Sequence, residues 1–325
     1  MTTLRVLLHV AAQRDYELHS LDFSTAFLQG SLHDEIWLHR PPGFTGSFPA
    51  GTQWSLRRPV LQRFGFQFSS PQPTPLSTSH SLSAPPSDES VEPSGPYPEL
   101  VGCVMYLMTC TRTDRTYPLS LLARYVAPGR HQKVHSDAAK RVLRYLRSTS
   151  SMGLVLGGRG PVVLTGHADA SWVDDSATQR SSQGYTFSLG SGSVSSRSTR
   201  SSSVLNSSCE AEIYTGAMAA QELLWLNYLL TDLGEQPRLP PVVYVDNKAM
   251  IACCQEHRLK HRTKHIALRY SLARELQQRG QLRLGYVATR ANSDDVFTKA
   301  LQPCDHQRFS TVLGLAPTLP HLLTV

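Results

Sequence analysis

The spacing of apolar residues changes once along this chain, from a helical period before residue 150 to a strand period after it. Residues 100–109 and 119–125 read as two helices and 131–147 as a third, in which Val134, Ala138, Val142 and Tyr145 or Leu146 return at helical spacing with basic residues between them. From Gly153 the pattern becomes strand, Gly-rich turn (Gly157-Gly158-Arg159-Gly160), strand, with residues 154–156 and 161–170 as its arms. Residues 185–189 and 194–200 continue the meander. Ser207-Ser208-Cys209-Glu210 opens a long helix over 211–233, with Ile213, Ala217, Ala220, Leu224 and Leu230 on its inner side. A strand over 242–246 runs into a helix over 248–256; a helix over 264–279, a strand over 281–287 and a last helix from Ser293 complete the pattern. Three meander strands and two helix-linked strands predict a mixed α/β sheet.

Ahead of this lies a break in composition. Residues 68–98 hold eight of the 21 prolines among Ser and Thr, and predict an exposed linker that buries no core. A chain of 325 residues with 40% hydrophobic content supports roughly two ordinary domains. The short apolar stretch over residues 4–12 is broken by Arg5 and His9, so neither a signal peptide nor a membrane span is expected. Six cysteines without CxxC spacing suit free thiols and a cytoplasmic or nuclear setting rather than secretion.

Charge sharpens the picture. Between residues 112 and 147, nine Arg or Lys face two Asp, an excess that equals the +7 of the whole chain. Such a stretch, Arg141 and Arg144 included, suits a polyanion; a solvated helix face is the alternative. The Gly-rich turn precedes a strand rather than a helix, which argues against a phosphate loop. Cys253, His257, His261 and His265 recur every four residues, but one straight helix cannot wrap a tetrahedral ion with its own side chains. Arg258, Lys260, Arg262 and Lys264 interleave with these histidines and fit phosphate contacts better. For His265, a place near substrate and a packing or capping role are both open.

Four acids fall at strand-helix junctions: Asp169, Glu212, Asp246 and Asp295. In a mixed sheet such positions can converge. Clustered carboxylates hold hard cations, and two divalent ions about 3.5–4 Å apart can activate water and stabilise the leaving oxygen of a phosphodiester. Each acid also has an ordinary reading, Glu212 at a helix N-terminus and Asp246 or Asp295 as caps.

Gly166-His167-Ala168-Asp169-Ala170-Ser171-Trp172, Ser207-Ser208-Cys209-Glu210-Ala211-Glu212, Tyr244-Val245-Asp246-Asn247, Arg262-Thr263-Lys264-His265-Ile266 and Asp295-Val296-Phe297-Thr298-Lys299 resemble, in that order, the RNase H region of copia-type retrotransposon polyproteins. The resemblance covers about residues 96–315. It implies an RNase H-like five-stranded sheet with flanking helices over 151–315, a helical connection segment over 99–150 that joins polymerase to nuclease, and a tail over 316–325. It further implies that Asp169, Glu212, Asp246 and Asp295 bind two Mg²⁺, or Mn²⁺ in their place, and cleave the RNA strand of an RNA-DNA hybrid as a ribonuclease H. Glu210 resembles the neighbour of a ligand rather than a ligand. A catalytically inactive remnant that binds nucleic acid is the alternative, and oligomeric state is left open.

Residues 1–60 resemble the fingers-palm start of the copia-type reverse transcriptase, in Leu21-Asp22-Phe23-Ser24-Thr25-Ala26-Phe27-Leu28-Gln29-Gly30 and Arg40-Pro41-Pro42-Gly43-Phe44. Asp22 would be a vestigial polymerase acid, because near residues 61–66 the text jumps past the rest of the palm to the linker over 61–98. Trp172-Val173-Asp174-Asp175 imitates the missing Asp pair, yet Ser176-Ala177-Thr178-Gln179-Arg180 follows where a hydrophobic return strand is required. No polymerase activity is expected. Departures from the nuclease pattern are Ser171 for a second Asp, Thr113 for a Pro, and Ser196 for a Trp, the last costing about 3 kcal/mol if the position is buried.

Overall fold

The structure, a computed structural model, describes residues 1–16, 57–79, 82, 96–157, 162–175, 177–235, 240–255 and 267–317. Asp22, Arg262, Lys264 and His265 lie outside these residues, as do His257 and His261.

Strands β2 (Leu164–Asp175), β3 (Arg180–Leu189) and β4 (Gly192–Arg200) form the antiparallel meander, and β5 (Val242–Val245) and β6 (Arg283–Tyr286) add in parallel on the other side. The sheet order is β4-β3-β2-β5-β6. This mixed five-stranded sheet with flanking helices is the RNase H-like α/β arrangement. Helix α6 (Ser208–Asp232) covers one face and buries Ile213, Ala219, Leu223 and Leu226 against Ala168, Phe187, Val243 and Val245. The Ser207 hydroxyl accepts the Glu210 N–H at 3.1 Å and starts the helix, so the signal read in the sequence is the one used.

Strand β2 continues past its apparent end. A register shift between Ser171 and Asp175 puts Val173 at φ 54°, a conformation uncommon for a β-branched residue, and the Val173 N–H turns to the Ser181 hydroxyl. The expected hairpin before it does not form: β1 (Met152–Leu154) pairs instead with β7 (Leu315–Pro317). Gly192 and Gly314 permit that pairing, since a Cβ on either would lie within 2.6 Å of backbone atoms.

A second core is built by α3 (Tyr97–Thr111), α4 (Thr116–Leu122) and α5 (Lys133–Ser148). Contrary to the linker expectation, the described part of residues 61–98 packs on it: Leu61, Leu76 and Leu82 are buried. Here the composition misleads, because a few leucines suffice once the neighbouring backbone is satisfied. Arg141 Nε and Nη2 donate to the Thr74 carbonyl and hydroxyl, Ser148 donates to the Gln72 carbonyl, Arg147 to the Ser69 carbonyl, and His135 bonds the Leu82 carbonyl.

Helix α1 (Thr2–Arg14), from the stretch that resembles a polymerase start, lies against the five-stranded sheet, with Val6 and Val10 in its core. Buried Arg5 donates to the carbonyls of Met108, Thr109 and Cys110, at the end of α3, and to Val194 of β4. A cation on a helix C-terminus satisfies orphan carbonyls and complements the dipole. One side chain thus joins α1, the connection helices and the sheet.

Candidate active site

The acids converge as the topology allows. Asp169 sits within β2, Glu212 in the second turn of α6 and Asp246 directly after β5, and one carboxylate oxygen from each lies within 4.8 Å of the others. Asp295 opens α9 (Asp295–Thr298) at the edge of this group. Helix α9 can approach because β3 has Gly184 opposite Asp169; a Cβ there would meet the Phe297 Cβ at 2.6 Å.

The ordinary readings of these acids are taken up by their neighbours. Asn247 Oδ1 accepts the Met250 N–H at 3.0 Å and caps α7 (Lys248–Gln255), leaving Asp246 for the cluster. Glu210 accepts the Asn206 N–H at 2.7 Å, leaving Glu212, whose Oε2 is buried and has no hydrogen-bond partner. A buried carboxylate oxygen without a partner, on a residue clustered with two further acids, is costly without a cation.

Burial, followed by the charges of Asp169 and Asp246, pushes the Glu212 carboxyl up to about 9. Burial also raises Asp169 to about 6, despite the opposing pull of Lys299 and the Thr298 hydroxyl. Asp295 is raised as well, mainly by burial. Lys299 Nζ stands 2.6 Å from Asp295 Oδ1 and 3.6 Å from Asp169 Oδ2. Burial of this ammonium is outweighed by the acids around it, so its pKa rises.

Three acids were not anticipated in the roles they take. Asp294 is fully buried, its carboxyl raised well above the usual range by burial and by Asp169. Asp174 accepts from Ser182 N–H, Ser182 Oγ and Tyr117 OH, while Asp175 accepts from Arg124 and Arg200. These two belong to the packing of β2 on α4. No pattern in the sequence marks Asp294 beyond its adjacency to Asp295.

The basic stretch divides. Arg112 and Arg115 are fully buried around Asp114, which also accepts from Tyr145 OH at 2.5 Å. Burial would raise that carboxyl, but Arg112 holds it well below its ordinary value. Arg141 is tied to Thr74, and Arg144 is half-buried. Ser196, the position of the absent Trp, is only half-buried on edge strand β4, so the condition for a large loss is not met.

Sheet order and acidic cluster together define an RNase H-like domain. No protein-family model matches the chain. It is 28% identical over 427 aligned positions to a retrovirus-related Pol polyprotein from transposon RE2 of Arabidopsis thaliana, covering 98% of this chain and 29% of that protein. To the Pol polyprotein from transposon TNT 1-94 of Nicotiana tabacum it is 34% identical, over 74% of this chain and 18% of the relative. The chain belongs to the copia-type retrotransposon Pol polyproteins and spans less than a third of the length of these relatives. Because 427 positions align with a chain of 325 residues, the RE2 protein carries a stretch without counterpart here. An RNase H domain from Mycobacterium tuberculosis superposes on 46% of the chain at 12% identity, with a TM-score of 0.33. That score adds no weight; sheet order carries the fold assignment.

Proposed function

We propose that this chain is the nuclease part of a retrotransposon Pol polyprotein and hydrolyses the RNA strand of RNA-DNA hybrids with Mg²⁺. The observation that carries this is that one carboxylate oxygen from each of Asp169, Glu212 and Asp246 lies within 4.8 Å of the others, with Glu212 Oε2 buried and without a hydrogen-bond partner. Hard oxygen donors of this kind fit Mg²⁺ or Mn²⁺. Asp169, Glu212 and Asp246 would hold one ion; Asp295 and Asp169 would help hold a second once Lys299 is displaced. A bound divalent ion supplies Lewis acidity toward a phosphoryl oxygen and lowers the pKa of water.

The chain's own residues set the rest. The Thr298 hydroxyl donates to Asp169 Oδ2 and fixes that carboxylate. Glu212, whose carboxyl burial pushes up to about 9, would hold an ion as its carboxylate, the form that a nearby opposite charge favours. Lys299 can then turn its ammonium from Asp295 toward an anionic substrate. Strand choice would rest on the 2′-hydroxyl. The full chain is the material to assay: expected products are RNA fragments from the hybrid and none from duplex DNA, and equal cleavage of both would contradict the reading. With the rest of the palm missing, no primer extension is expected; measurable extension by the purified chain would overturn that part.

A further inference from the structure

A cleft of about 400 Å³ lies between the connection helices and edge strand β4, lined by Arg124, Arg180 and Arg200 with Ser120, Ser198 and Ser202 and by none of the four acids. We infer that this cleft binds the phosphate groups of a nucleic-acid strand. The hydrolytic site is not needed for this, and the inference stands if that site proves inert.

Charge in the cleft is unevenly met. Arg124 Nη1 and Arg200 Nη1 both reach the same atom, Asp175 Oδ2, at 3.2 and 2.9 Å. Arg180 at its side has no carboxylate partner among the described residues. Arg124 is 14% exposed at its side chain, and its Nη2 is buried without a hydrogen-bond partner. Burial and then the neighbouring Arg200 lower the Arg124 pKa against the pull of Asp174 and Asp175, so that further negative charge beside these guanidinium groups would be favourable. A phosphate would supply it, with planar donors for its oxygens. The hydroxyls on the same walls, of which Ser120 and Ser198 stand 3.2 Å apart, are the uncharged donors common in phosphate contacts.

Position favours a strand over an isolated ion. Ser198 pairs with Gly184, which pairs with Asp169, so Ser198 and Asp169 share a sheet face two strand spacings apart, roughly 10 Å. Arg180 opens β3 and Arg200 closes β4, at the end of the sheet where Asp246 follows β5. The cleft is also larger than one phosphate needs.

The test is binding by the full chain in EDTA, with a fluorescent single-stranded oligonucleotide as one probe and inorganic phosphate as competitor. Arg180→Gln removes the unpaired guanidinium, and Ser202→Asp adds a negative charge at an exposed position. Both should weaken oligonucleotide binding by about tenfold, and Arg180→Gln should also reduce the log-log salt slope by about 0.7. Arg279→Gln, at an exposed position in the turn after the helix Ala267–Gln278, should change neither. If inorganic phosphate competes at concentrations matching the oligonucleotide phosphate, the cleft takes a free anion; if it competes only in large excess, it takes the strand. Unchanged affinity and slope in both cleft variants, or an equal loss in Arg279→Gln, would overturn the inference.

Discussion

Glu212 and Lys299 both hold their protons more tightly within the acidic cluster, Glu212 through burial and neighbouring carboxylates and Lys299 through the carboxylates it pairs with. Glu212 is raised to about 9 by burial and then by Asp169 and Asp246, so the folded state holds a proton that the unfolded chain releases near the ordinary carboxylate range. Its folded pKa exceeds its unfolded one, so the group costs stability as pH climbs above the unfolded value and through the folded one. Asp169, raised to about 6, acts with the same sign over a lower window. The melting temperature in EDTA should therefore fall between pH 5 and 8. Glu212→Gln should flatten that decline and abolish stabilisation by Mg²⁺; thermal melts at several pH values check both, and an unchanged slope would count against the cluster. Lys299 competes for the oxygens of Asp169 and Asp295. Lys299→Gln should tighten Mn²⁺ binding by about tenfold, equivalent to about 1.4 kcal/mol, as read by paramagnetic resonance.

At the scale of elements, the approach of α9 to β3 decides whether the fourth acid reaches the group. Gly184→Ala would force its new methyl onto Phe297 and Thr298, where overpacking costs typically 1–3 kcal/mol. It should lower the urea midpoint and weaken metal binding together; a fully stable variant with normal binding would remove Gly184 from that role. Elements were legible in the sequence wherever a period ran long enough: α5, α6, β5 and the meander follow their patterns closely. The extension of β2 through Asp175 was not legible, because it depends on a bulge held by Ser181. Nor was the pairing of β1 with β7, whose partners are far apart in sequence. Of the cluster, Glu212 and Asp246 could be read from their junctions and Asp169 only from a strand end expected near Ala170, although β2 runs on to Asp175; the opposing cation Lys299 could not be read, since nothing in its spacing says which carboxylates it will meet.

Across the whole molecule, segments that the sequence divides are joined by particular side chains. Arg5 binds α1 to α3 and β4, and His306 of α10 (Pro303–Val312) reaches the Asp114 carbonyl at 3.2 Å, linking the C-terminal helix to the connection core. Residues from the polymerase-like start thus help cover the five-stranded sheet. A chain beginning at residue 96 would expose the surface beneath Val6 and Val10 and lose the Arg5 bonds, and should melt below the full chain; equal melting temperatures would show that α1 contributes nothing. Proline content misjudged the segment after residue 61 for a related reason, since Arg141, Arg147 and Ser148 of α5 donate to its carbonyls at Thr74, Ser69 and Gln72.

The most direct test of the nuclease reading is the rate at which the full chain cuts the labelled RNA strand of a hybrid in Mg²⁺, beside Asp246→Asn and beside EDTA. The account predicts cleavage that Asp246→Asn and EDTA both abolish; a folded, hybrid-binding protein that leaves the RNA intact, or cleavage that survives Asp246→Asn, would contradict it.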